Sequence, residues 1–233
     1  MKNISVCLSP ELIHLFDLKN KIVVIVDILR ATSTMTTAFA YGINRIKPMD
    51  DVEKCREHKN EGYVISAERG GQMVEGFDYG NSPFSYMNPN LNGSDIAFTT
   101  TNGTLAIHKS LEAENILIGS FLNLSAVADK IKELNKDVVI HCAGWKGSVN
   151  TEDTLFAGAL IEAVKNSLEY NSDDAILAHN LFLQHQSDLL GLVLQSAHAK
   201  RLQKFGIKKD IEFCLKIDEY DVVPYLEGDH LVI

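Results

Sequence analysis

The usual marks of a cofactor enzyme are missing from this chain. No G-x-G-x-x-G follows a candidate strand and no G-x-x-x-x-G-K-[ST] occurs, which excludes the common dinucleotide and P-loop sites. No G-x-S-x-G elbow is present, so a serine-hydrolase reading lacks its nucleophile. The four cysteines (Cys7, Cys55, Cys142 and Cys214) lack C-x-x-C spacing. That excludes a zinc site or disulfide framework and leaves buried or incidental thiols in a reducing cytoplasm. The eight histidines show no metal spacing, and His179 and His185 read as surface or packing residues. No apolar run is long enough to span a bilayer. No basic region followed by an apolar run opens the sequence, so a cytoplasmic protein is expected. Basic side chains are outnumbered, 22 Lys and Arg against 31 Asp and Glu, for a formal net charge of −9. Such a surface repels phosphate backbones and anionic lipid, so neither nucleic acid nor a membrane is an expected partner.

What is present is an alternation of strands and helices in 233 residues, 45% of them hydrophobic. Apolar runs at 3–8, 22–26, 43–47, 63–67, 95–99, 115–118 and 137–142 read as strands. Helical patterns follow most of them, and residues 173–205 are helix-like throughout. The tail, 218–233, reads as a hairpin closing one sheet edge. The expected fold is α/β, a three-layer α/β/α arrangement with a mixed, mainly parallel sheet. It is expected as one domain, 1–233, or as two packed subdomains meeting near 110–120. The leucine-rich stretch 181–194 suits either core or a homodimer face.

The chemistry gathers at strand ends, expected along one edge of the sheet, where open α/β sheets place ligands. Residues 22–26 run into Asp27 and Arg30, and Thr32 or Ser33 is positioned as the N-cap of a helix closing at Gly42. A second strand ends on Glu68, Arg69, Gly70 and Gly71, ahead of a long glycine-rich loop holding Asn81, Ser82 and Pro83. A third runs into Thr100, Thr101, Asn102, Gly103 and Thr104. Near 143–153 lie Lys146, Glu152 and Asp153. Asp27, Glu68, Glu152 and Asp153 are oxygen ligands of the kind magnesium takes. Arg30, Arg69 and Lys146 suit phosphate or sulfonate. Thr32, Ser33, Thr101, Asn102 and Thr104 offer hydrogen bonds to an oxyanion, and Gly70, Gly71 and Gly103 allow close backbone approach. Each has a structural alternative. Glu152 and Asp153 also suit a helix first turn by dipole alone, and Glu68 could pair with Arg69.

Two other phosphatase readings stay open as alternatives, each lacking one residue. A phospho-aspartyl enzyme wants a second Asp two positions after Asp27, where Leu29 stands. A cysteine phosphatase loop starting at Cys142 wants an arginine six residues on, where Ser148 stands.

The ordered set VDILRATST, AERGG, EGFDYGNSP, TTTNGT, IGSFLN, CAGWKG with EDTLFAGAL, and DIEFC with DVVP resembles the 2-phosphosulfolactate phosphatase family from about residue 20 onward. The resemblance implies a magnesium-dependent phosphohydrolase of coenzyme M biosynthesis. It would convert 2-phospho-3-sulfolactate, a small anionic partner, to 3-sulfolactate and phosphate. On that resemblance Asp27 and Arg30 carry the first motif, and Glu68, Arg69 and Gly70 the second. Asn81 and Ser82 carry the third, Thr101, Asn102 and Gly103 the fourth, and Glu152 and Asp153 the sixth. Asp27 and Glu68, with Glu152 or Asp153, would hold Mg2+ or act as base, and Asp27 as nucleophile is the alternative. Arg30 and the 101–103 turn would hold the phosphoryl oxygens, and Arg69 and Lys146 the sulfonate or carboxylate. A non-catalytic sensor of phosphorylated or sulfonated metabolites would use the same anion pocket without a metal.

Overall fold

The computed structural model describes all residues, 1–233. Strands β1 (Lys2–Cys7), β2 (Ile22–Val26), β3 (Arg45–Pro48), β4 (Val64–Arg69), β5 (Gln72–Met73), β6 (Asp95–Thr99), β7 (Asn115–Gly119), β8 (Val138–Cys142), β9 (Leu168–Glu169), β10 (Tyr225–Glu227) and β11 (His230–Val232) form one sheet. Its order is β5-β4-β6-β3-β11-β10-β7-β2-β8-β1-β9. Helices α1 (Ala31–Ala40), α2 (Val52–Glu57), α3 (Pro83–Tyr86), α4 (Gly103–His108), α5 (Leu124–Leu134), α6 (Thr151–Val164), α7 (Asp173–His185), α8 (Leu189–Val193), α9 (Ala197–Gln203) and α10 (Lys208–Cys214) cover both faces.

β2 explains why the fold centres where it does. Its continuous Ile22–Val26 run is buried on both sides. Ile22, Val24 and Val26 join the cluster under α5 and α6, whereas Val23 and Ile25 join the one under α1 and α4. Parallel neighbours β7 and β8 flank it, so the loop after Val26 leaves from the middle of a ladder.

Three expectations are corrected. The β10–β11 hairpin does not close an edge. It lies inside the sheet, with Tyr225 opposite Leu117 of β7 and Leu231 opposite Ile46 of β3. All three pairings in this bridge are antiparallel, so the half built from β3, β6 and β4 runs opposite to the half built from β7, β2, β8 and β1. The strand ends therefore do not share one flat edge. Loops of both halves still line one cleft, and Val23 and Ile25 of one half share a core cluster with Ile96 and Phe98 of the other. The helical stretch 173–205 is divided into α7, α8 and α9, because Asp188 accepts from Gly191 N at 2.8 Å and Ser196 from Ala199 N at 3.1 Å, each starting a new helix. Within it Phe182, Leu189 and Val193 are core residues. No helix is long and apolar enough to cross a membrane.

Candidate active site

The loop from β2 to α1 is tied down by its own hydroxyls, not by the cap expected of them. α1 starts at Ala31. Thr32 Oγ1 donates to Asp27 O at 2.9 Å and accepts from Asp27 N at 3.1 Å, and Ser33 Oγ donates to Ile28 O at 2.9 Å. Both are buried and engaged with the backbone, so they shape the loop rather than face a ligand. Their work leaves Asp27 at the mouth of β2, with Ala31 N donating to Oδ1 at 3.4 Å.

A cleft of about 260 Å³ opens over Asp27. Of the residues singled out in the sequence, Asp27, Arg30, Glu68, Gly70, Gly71, Asn81, Thr101, Asn102 and Lys146 line it. Glu68 comes from β4, which turns into β5 through Gly70 and Gly71, both at positive φ as a two-residue hairpin requires. Gly71 N donates to Glu68 Oε1, and Thr101 sits 3.4 Å from Oε2 through its hydroxyl. Gly103 lies behind the wall: a Cβ there would stand 2.9 Å from Asp27 Oδ2 and 2.5 Å from Ala31 Cβ. Only glycine lets α4 come this close to the aspartate.

Arg30 faces the cleft with its charge countered. Its Nη1 is 2.5 Å from Asp210 Oδ2 and its Nη2 donates to Gly71 O at 3.1 Å. Asp210, the first residue of the DIEFC motif, is thus the arginine's counter-ion. Burial, and then the nearby charges of Glu68 and Glu152, push the Asp27 carboxyl up to about 6, against the pull of His198.

The other expected site residues are placed elsewhere. Arg69 donates to Glu68 O at 2.7 Å and Thr99 Oγ1 at 2.9 Å, and it does not line the cleft. Ser82 begins α3 without a side-chain cap bond, and Thr104 bonds with Thr100. Asp153 is fully engaged: Oδ1 accepts from Ile28 N at 2.9 Å, and Oδ2 from Gly144 N at 3.1 Å and Asn150 Nδ2 at 2.9 Å. It pins the loops after β2 and β8 together, and it does not line the cleft. Glu152 stands behind His198, with Oε1 2.6 Å from His198 Nδ1 and Oε2 buried without a partner. Cys142 is buried with its thiol pushed up by burial, so it is no nucleophile.

For magnesium the candidates therefore reduce to Asp27 and Glu68. No three His, Cys, Asp or Glu side chains are grouped to hold an ion. Two oxygen donors still fit, because magnesium takes one or two carboxylates when waters and substrate oxygens complete its shell.

Four cleft residues lay outside the sequence reading: Leu29, His198, Arg201 and Leu202. The last three are one face of α9, at i, i+3 and i+4. That spacing was their only signal, and it was hidden in a stretch dominated by leucines. Trp145 stacks on the His198 ring, 5.7 Å between centroids at 10°. The Arg201 guanidinium lies 4.9 Å and Lys146 Nζ 5.2 Å from the centre of the Trp145 ring.

Comparison with known proteins places this arrangement. A family model for 2-phosphosulpholactate phosphatase matches residues 7–229. A Caldanaerobacter subterraneus protein named probable 2-phosphosulfolactate phosphatase is 42% identical over 91% of this chain and 90% of its own. Proteins of the same name from Clostridium acetobutylicum and Thermotoga maritima are 39% and 41% identical, covering 98% and 87% of this chain and 99% and 88% of theirs. The match runs through every loop that builds the cleft, and the chain belongs to the 2-phosphosulfolactate phosphatase family.

Proposed function

We propose that this protein is a magnesium-dependent phosphatase that hydrolyses 2-phospho-3-sulfolactate, or a similar small anionic phosphoester, to the alcohol and phosphate. A cytoplasmic role in coenzyme M biosynthesis belongs to the same reading. Membership of the family supports the reaction class. The observation that carries the reading is Asp27, a buried carboxylate at a strand end, facing a cleft shared with Glu68 and with Arg30, Lys146 and Arg201.

Asp27 and Glu68 would hold the magnesium ion. When bound, the ion neutralises negative charge on the transferring phosphoryl group. The protein does the rest by placement. Arg30, held by Asp210 and Gly71 O, presents a fixed guanidinium to phosphoryl oxygens. Thr101 and Asn102 add hydrogen-bond donors at the same wall. Lys146 and Arg201, on the Trp145 side, would take the second anionic end of the substrate. Leu29, Leu202 and Trp145 displace water from the lining, which strengthens each of these charge contacts.

A phosphate-release assay over a panel of phospho-acids tests the reading. Release from 2-phospho-3-sulfolactate that stops in EDTA and returns with magnesium is expected. Tight binding of the ester without release, unchanged by EDTA, would replace the phosphatase with a sensor.

A further inference from the structure

We propose that His198 is the general acid of this site: its Nε2–H protonates the ester oxygen as the phosphoryl group departs, with Glu152 and Trp145 holding the ring in place. The inference rests on the phosphatase reading above, and goes beyond it by naming the group that lets the alcohol leave.

The need comes from the substrate class. A secondary alcohol is a poor leaving group, and without a proton it must depart as an alkoxide. Asp27, Glu68, Arg30, Lys146 and Arg201 are suited to the phosphoryl group, the cation and the second anion. Asp27 and Glu68 are taken up by the cation and the guanidinium and ammonium groups by the anions, so none of them is free to give a proton to the ester oxygen. His198 is the one imidazole on the cleft lining.

The geometry fits that role. The residue is only 5% exposed, yet it lines the cleft. Nδ1 is committed to Glu152 Oε1 at 2.6 Å, which leaves Nε2 as the nitrogen available to a ligand. Glu152 is 0% exposed, and its partner oxygen Oε2 makes no hydrogen bond, so the buried carboxylate's paired contact in the protein is this imidazole. Trp145, stacked at 10° across the ring face, blocks its rotation. A carboxylate on one ring nitrogen with the other turned to the reacting group is how proteins fix the tautomer and direction of a working histidine.

In the step, water adds to phosphorus and the bond from phosphorus to the ester oxygen breaks. The electron pair stays on that oxygen, which takes the Nε2 proton and leaves as the alcohol. The surplus proton of the water passes to solvent, from which the imidazole recovers its own. Glu152 and Trp145 act through the ring and are positioning residues.

The test compares 2-phospho-3-sulfolactate with its 3,3-difluoro analogue, in which the charges are kept and the leaving hydroxyl is more acidic. Wild type, His198→Asn and Glu152→Gln are each assayed on both esters with magnesium. The ratio of the two rates within one preparation does not depend on how much of it is folded. His198→Asn should lose about 100-fold or more in kcat on the natural ester, with KM moved less than about threefold, and about tenfold less on the fluorinated one. Glu152→Gln should shift the same ratio in the same direction by a smaller factor. An unchanged ratio in His198→Asn overturns the proposal and leaves the phosphatase reading intact. Release from neither ester by the wild type overturns both.

Discussion

Asp27 and Asp153 look alike and do opposite things. Both are buried aspartates that follow adjacent parallel strands, Asp27 in the loop after β2 and Asp153 in the first turn of α6 beyond β8, and in both, burial raises the carboxyl above its ordinary range. Asp153 spends neither oxygen on the cleft: three N–H groups from Ile28, Gly144 and Asn150 use its acceptors and join two loops. Asp27 has one weak backbone donor and an oxygen facing the cleft beside Glu68. Burial and residue type do not separate a structural carboxylate from a working one; what separates these two is that Asp27 lines the cleft and Asp153 does not.

The largest effect should come from the cleft side of this pair. Asp27→Asn is expected to lower kcat by at least about 1,000-fold, roughly 4 kcal/mol of barrier, while keeping the native circular dichroism spectrum. A variant with wild-type kcat would dissolve the distinction. On the other side, Asp153→Ala leaves three buried donors unpaired and should cost about 3 kcal/mol of stability. For a chain of this size that is a fall in Tm of about 6–12 °C, read by thermal melting. A melting point within a degree of wild type would show that Asp153 is not the pin it is described as.

A third contrast is in pH. Asp27 titrates near 6 in the folded protein and near the ordinary aspartate value of 3.8 unfolded. Between those values the folded state holds the proton and the unfolded state has lost it, so stability falls as pH rises through the window and levels off above it. In EDTA at pH 8, Asp27→Asn should therefore be more stable than wild type, by about 1–3 kcal/mol in urea unfolding. A less stable variant would mean that the ionised carboxylate is well satisfied without a cation. The smallest effect is expected at the rim, where Trp145→Ala removes the stack under His198 and the ring beneath Arg201 and Lys146. About a tenfold loss in kcat/KM, with Tm nearly unchanged, is the expected result of a kinetic and melting comparison.

The sequence made some of this legible for plain physical reasons. A five-residue apolar run must be buried, so β2 and the loop carrying Asp27 and Arg30 could be placed from residues alone. The Glu68 and Thr101–Asn102 loops followed by the same logic, and both reach the cleft. Residues whose role depends on distant partners were not readable. Arg69 looks like Arg30 in the sequence, but its guanidinium bonds to Glu68 O and Thr99 Oγ1, whereas Arg30 meets Asp210, 180 residues away. His198 and Arg201 enter the site only because a helix presents one face of α9 to loops formed far earlier in the chain. The direction of the second half-sheet was equally hidden, since short strands such as β10 and β11 carry no mark of whether they lie at an edge or in the middle.

The hairpin placement has a consequence for how the protein is made. Asp27 sits on the half-sheet of β2 and β7, and Glu68 and Thr101 on the half-sheet of β4 and β6. The ladder that joins these halves is residues 225–232, synthesised after all of them. A nascent chain halted on the ribosome before residue 225 thus carries both walls of the cleft with no strand between them. Translation through the hairpin is what joins the two half-sheets into one ladder.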